Sequence, residues 1–88
     1  MPHLLLLLPV LLLTACAGLE SETEIPLSEV PAAVLNAAQA EVPGFEPTEA
    51  EIEADDGQKV YELEGSADGE DYEIEISGTG EILEVEKK

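Results

Sequence analysis

The side chains able to do chemistry in this 88-residue chain are few in kind: one cysteine, Cys16, one histidine, His3, and 21 acidic groups set against three lysines. A Cys-His or Ser-His nucleophile pair needs an imidazole held against the attacking atom, and the one histidine stands two residues from the start. Paired carboxylates are plentiful and can cleave glycosidic bonds. That reaction also demands a cleft and one carboxyl group with a raised pKa. Gly78-Thr79-Gly80 is not a dinucleotide fingerprint, because the third glycine and the following helix are missing, and it reads as a turn. A lone cysteine forms no internal disulfide, and no Cys/His cluster suggests a structural zinc site. The net charge of −18, all of whose acids lie after Cys16, repels nucleic acid and anionic membrane surfaces.

Cys16 acquires a meaning from what precedes it. Met1-Pro2-His3 leads into a nearly unbroken apolar run, Leu4 to Leu13, followed by the small pair Thr14-Ala15. A run of about ten apolar residues is half of what a spanning helix needs and suits the apolar centre of an export signal. Leu13-Thr14-Ala15-Cys16 resembles the bacterial lipobox. The resemblance implies cleavage before Cys16 by a dedicated signal peptidase that recognises Leu13, Thr14 and Ala15, with acyl chains on the Cys16 sulfur and a membrane partner reached through that anchor. Two or more chains hold far more firmly than one, at about 0.8 kcal/mol per buried CH₂. Ala17, not Asp, after the cysteine implies sorting to the outer membrane where a cell has two membranes. The expected domain map is then residues 1–15 as signal, 16–26 as a lipidated, solvated tether, and 27–88 as the folded domain. With His3 removed and Cys16 acylated, no catalytic residue and no cofactor are expected in the mature chain.

From Leu27 the apolar period is helical. Val30, Val34, Ala38 and Val42 recur every four residues, with Leu35 and Ala37 widening the stripe. Ser28 is the expected cap, Pro31 falls in the first turn, and Val42-Pro43-Gly44 stops the helix. The period then becomes two. Ala50, Ile52 and Ala54; Tyr61 and Leu63; Tyr72, Ile74 and Ile76; and Leu83 and Val85 are the apolar members of four short strands. Asp56-Gly57, Asp68-Gly69 and Gly78-Thr79-Gly80 separate them, and connections this short make an antiparallel meander. The fold class is α+β: one N-terminal helix on a four-stranded antiparallel sheet. Phe45 is the expected plug at one end of a small core.

Leu27 to Lys88 resembles the PepSY domain in its proline-led helix ending in Pro-Gly (VPAAVLNAAQAEVPG) and the hairpin strands VYELEG, DGEDYEIEIS and GTGEILEVE. The resemblance implies one helix packed on an antiparallel sheet, occurrence in propeptides of secreted metallopeptidases, and an inhibitory or regulatory role without a catalytic set. It leads to the expectation of an extracytoplasmic, non-enzymatic interaction module whose partner is a peptidase or a basic envelope protein.

Opposite the core residues, Glu49, Glu51, Glu53, Glu62, Glu64, Glu73, Glu75, Glu84 and Glu86 alternate along the same strands. Like charges thereby become cross-strand neighbours, which destabilises a sheet. Three readings follow: a solvated face that keeps a small domain soluble, a docking surface for a basic partner, or loose binding of Ca²⁺ or another hard cation by oxygen ligands, the alternative function being an acidic cation-binding or envelope-stress module. Asp55-Asp56-Gly57 and Asp68-Gly69-Glu70-Asp71 lack EF-hand spacing and serve as turns. An open sheet edge leaves room for dimerisation.

Overall fold

The computed structural model describes residues 21–55 and 57–88. The expected signal segment, Cys16 and its flanking Leu13, Thr14 and Ala15 lie outside the described residues. Five strands run in chain order: β1 (Ser21–Ile25), β2 (Glu46–Asp55), β3 (Gln58–Ala67), β4 (Glu70–Ser77) and β5 (Ile82–Lys87). They form one antiparallel sheet ordered β1-β2-β3-β4-β5. A 3₁₀ turn (Leu27–Glu29) and the helix α1 (Ala32–Glu41) connect β1 to β2. The architecture is the expected α+β arrangement, with one strand more than the apolar pattern predicts.

The extra strand falls within residues 16–26, the stretch expected as tether, of which residues 16–20 lie outside the described residues. Ser21–Ile25 pairs residue by residue with Ala54–Ala50 of β2. Its sequence, SETEI, does alternate, but its only large apolar side chain is Ile25, which packs against the core. Backbone pairing to an open neighbour, aided by β-branched Thr23 and Ile25, holds it in place.

The helix also starts later than its cap signal suggests. Ser28 sits inside the 3₁₀ turn, and Pro31 is the N-cap, its carbonyl accepting from the N–H groups of Val34 and Leu35 at 3.0 and 3.1 Å. Proline disfavours helical geometry in the residue before it. Val30 is accordingly extended, at φ −75° and ψ 126°, and separates the two turns. The stripe itself is as expected: Val34, Ala38 and Val42 are buried, with Val30, Leu35 and Ala37 packed around them.

α1 crosses the sheet above β4 and β5, and its stripe meets Ala50, Tyr61, Leu63, Ala67, Ile74 and Ile76. Phe45 closes one end of this layer and is almost fully buried. Its N–H donates to the Val42 carbonyl at 3.0 Å, and Gln39 Nε2 donates to the Phe45 carbonyl at 3.3 Å. Both bonds tie the plug to the helix end. No polar or charged side chain is buried among the described residues, so the core rests on apolar contact alone. Ala54, at the far end of β2, is exposed.

The last strand departs from simple alternation. Ile74 faces Val85 and Glu75 faces Glu84, but Ile76 faces Ile82, so the register shifts at Leu83. Ile82 therefore packs against the core, while Leu83 and Val85, expected in the core, are 49% and 39% exposed. The turn before it, Gly78-Thr79-Gly80, is closed by Ser77, whose N–H donates to the Glu81 carbonyl at 2.8 Å and whose Oγ accepts from the Glu81 N–H at 3.0 Å.

Two places require particular backbones. Asp68 and Gly69 both have positive φ, 54° and 79°, the turn in which a two-residue hairpin matches the strand twist. Gly65, opposite Pro47, has no room for a side chain: a Cβ there would collide with the Glu46 carbonyl oxygen and lie 2.7 Å from Pro47 Cα, where β2 shifts register. Gly65→Ala should lower stability by at least about 1–3 kcal/mol, and Phe45→Ala by about 3–5 kcal/mol. Chemical denaturation with an unchanged m-value would register both, and an unaffected midpoint for Gly65→Ala would contradict this packing.

Candidate functional site

Side chains of successive strand residues point to opposite faces, so burying one set under α1 commits the other set to water. All nine glutamates expected on that outer face are there. The register aligns Glu24, Glu51, Glu62, Glu75 and Glu84 in one row across all five strands. A second row holds Glu49, Glu64, Glu73 and Glu86, and Glu22 faces Glu53 beside them. Glu22 and Glu24 were not legible as part of the face, because they stand in the segment expected to be tether. The cue was the two-residue period of SETEI.

Glutamates of neighbouring strands in such a row sit about 4.5–5.5 Å apart at Cβ. Their mutual repulsion concentrates in the middle of the sheet. Loss of hydration raises the Glu51 carboxyl above its usual range, and the charges of Glu22, Glu64 and Glu24 raise it further, with a hydrogen bond to Glu22. Glu75 is raised for the same first reason, then by Glu84, Glu73, Glu86 and Glu22. Relief comes at one margin. Lys88 Nζ lies 3.1 Å from Glu73 and 3.8 Å from Glu64, and its backbone N–H donates to the Asp71 carbonyl at 2.9 Å. The hydrogen bond to Glu73 and the charges of Glu64 and Glu73 hold the Lys88 ammonium above its usual pKa. Lys87 reaches Glu70 at 3.4 Å.

Carboxylate oxygens of Glu22, Glu51 and Glu53, and of Glu53, Glu62 and Glu75, come within 4.8 Å of one another. Hard cations take six to eight oxygen ligands. Each group offers three side chains on an exposed or half-exposed surface, so water would complete any coordination. Such a face concentrates cations from solution and lowers its own repulsion by doing so. An open depression of about 320 Å³ lies beside Thr48, Glu64, Tyr72 and Lys88, where Thr48 Oγ1 donates to the Glu64 carbonyl at 3.2 Å. Neither histidine nor cysteine occurs among the described residues, and Cys16, Leu13, Thr14 and Ala15 lie outside them.

Residues 31–86 match the family described as PepSY, peptidase propeptide and YPEB domain. The matched stretch runs from the helix cap to β5 and leaves β1 outside it. No curated protein and no solved structure matches the chain.

Raised carboxyl pKa values make the native state bind more protons than the unfolded chain, so the stability due to Glu51 and Glu75 is complete below the ordinary glutamate range. It is lost as the pH climbs through their folded-state values. Thermal melts should therefore show Tm rising as pH is lowered from neutrality towards the ordinary glutamate range, and NaCl at neutral pH should raise it too. Glu75→Gln should add about 0.2–1 kcal/mol at neutral pH and flatten the pH slope. At matched ionic strength CaCl₂ should act as NaCl does if screening is the mechanism; a Ca²⁺-specific gain in Tm would show coordination instead.

Proposed function

The chain belongs to the PepSY family, and from that premise we propose that it acts outside the cytoplasm as a non-catalytic module that binds and restrains a peptidase, held at a membrane by acyl chains on Cys16. PepSY domains are modules of the propeptide and inhibitor type, generally non-catalytic and generally extracytoplasmic. The observation that carries the proposal is the extent of the family match, which takes in α1 and the four strands that enclose the core. The charge favours a partner with a basic surface: opposite charges steer encounter and suppress wrong pairings, and this domain offers two rows of glutamate on one flat face.

Anchoring rests on Leu13-Thr14-Ala15-Cys16, since no helix among the described residues is long and apolar enough to cross a membrane. Four residues, 17–20, separate Cys16 from Ser21, the first paired residue among those described. The five Cα-to-Cα steps from Cys16 to Ser21 reach at most about 18 Å at 3.3–3.6 Å per residue. A lipid on Cys16 would thus keep the sheet near the bilayer and confine the encounter with a partner to that surface.

Expression of the full chain in a bacterium, with membrane fractionation and intact-mass analysis, should give a membrane-bound product beginning at acylated Cys16, and Cys16→Ser should release it. A secreted metallopeptidase assayed with increasing amounts of the protein should lose activity, more so at low salt than at high salt. An unmodified thiol at Cys16 would contradict the anchoring, and peptidase rates indifferent to the protein would contradict the regulatory role.

A further inference from the structure

The two outer edges of the sheet differ in what they offer. β1 carries one large apolar residue, Ile25, already packed against the core. β5 carries Leu83 and Val85, 49% and 39% exposed. Among the described residues β5 pairs with β4 alone, so its far side presents unpaired backbone. Which groups face outward follows from the ladder. The Lys88 N–H donates to the Asp71 carbonyl, which makes Lys88 and Asp71 a hydrogen-bonded pair and Lys87 and Tyr72 a non-hydrogen-bonded one. Alternation along an antiparallel pair then turns the N–H and C=O groups of Glu84 and Glu86 towards β4 and those of Val85 and Lys87 away from it.

The side chains at this edge select what can pair there. Glu84 and Glu86 lie on the acidic face, in register with Glu75 and Glu73, while Val85 lies on the helix-covered face opposite Ile74. A second copy of this chain added edge to edge would bring its own Glu84 and Glu86 against these, and directly opposed like charges destabilise a sheet. That charge protects the edge from self-pairing, a common device on exposed strands. It does not exclude a strand of opposite sign. We propose that β5 is a docking edge for an extended segment of a partner protein in which basic and apolar residues alternate. The segment adds as a sixth strand, its backbone pairs with Val85 and Lys87, its lysines or arginines face Glu84 and Glu86, and its apolar residues cover Val85 and Leu83. The inference deepens the interaction reading above and rests on it, naming where and by what kind of segment the partner is held.

The test uses the isotopically labelled full chain in a non-ionic detergent, and two synthetic peptides of equal composition: Lys-Val-Lys-Val-Lys-Val-Lys and Lys-Lys-Lys-Lys-Val-Val-Val. The alternating peptide should slow amide exchange at Val85 and Lys87 by at least about tenfold, and the block peptide should not, since only an alternating strand presents one charge sign to one face. Val85→Pro removes an outward N–H without touching the β4 ladder and should weaken binding of the alternating peptide by about tenfold or more. Because proline can unfold an edge strand, a second variant, Glu84→Lys with Glu86→Lys, should abolish that binding and instead admit Glu-Val-Glu-Val-Glu-Val-Glu. Equal binding of both basic peptides without protection at Val85 and Lys87 would overturn the proposal in favour of attraction to the acidic face. So would no binding, or concentration-dependent protection of these amides without peptide, which would mean that a second copy occupies the edge. Peptide docking together with unaffected peptidase rates would leave this edge assignment standing and fail the peptidase reading alone.

Discussion

One short helix can dry one face of a sheet and no more. α1 lies over β4 and β5 and buries the middle of one face of the sheet with Val34, Ala38 and Val42, and Phe45 seals the end. The glutamates that alternate with the core residues are thereby forced to the other side, because the side chains of a strand alternate strictly between faces. The apolar layer is thin and made without a buried polar group among the described residues. It must also hold against repulsion among glutamates aligned in rows across the opposite face. The two faces are consequences of one sequence period, and neither can be altered without disturbing the balance between them.

That balance accounts for the placing of exceptions to the pattern. Gly65 lets β2 and β3 approach where β2 shifts register at Pro47. Lys88, at the end of the chain, falls among Glu64, Glu73 and Asp71, where a cation and an N–H group are most useful. The register shift near Leu83 turns Ile82 inward to finish the core and leaves Leu83 and Val85 at the rim. An edge with exposed apolar residues is a hazard for a soluble domain, and the neighbouring Glu84 and Glu86 restrain it from pairing with its own kind.

Most of the fold was legible because strong signals agreed: a four-residue apolar spacing between Val30 and Val42, a two-residue spacing afterwards, and Asp-Gly or Gly-x-Gly at each reversal. What escaped the sequence was set by neighbours. β1 has one large apolar residue among glutamates, so the two-residue period of SETEI is its one cue, and its strand geometry comes from pairing with β2. Ser28 has the chemistry of a cap, but Pro31 makes Val30 extended and moves the helix start past it. Leu83 fits the alternation perfectly on paper, and only the shifted pairing of Ile76 with Ile82 displaces it. The acidic face was legible in its nine central residues. Its extension to Glu22 and Glu24 was lost with β1. The family match covers the helix and the core strands and supplies the functional frame, while the acidic rows and the β5 edge are properties of this chain's own residues.

The claim beneath all of this is that carboxylates in the middle of the outer face feel one another through the sheet register. Following each glutamate side-chain carboxyl by carbon-detected NMR across the acid range tests it most directly. Glu51 and Glu75, flanked in their row and partly dehydrated, should be the glutamates whose protonation shifts to distinctly higher pH. Titration of both in the ordinary glutamate range would contradict the alignment of the rows and the balance built on it.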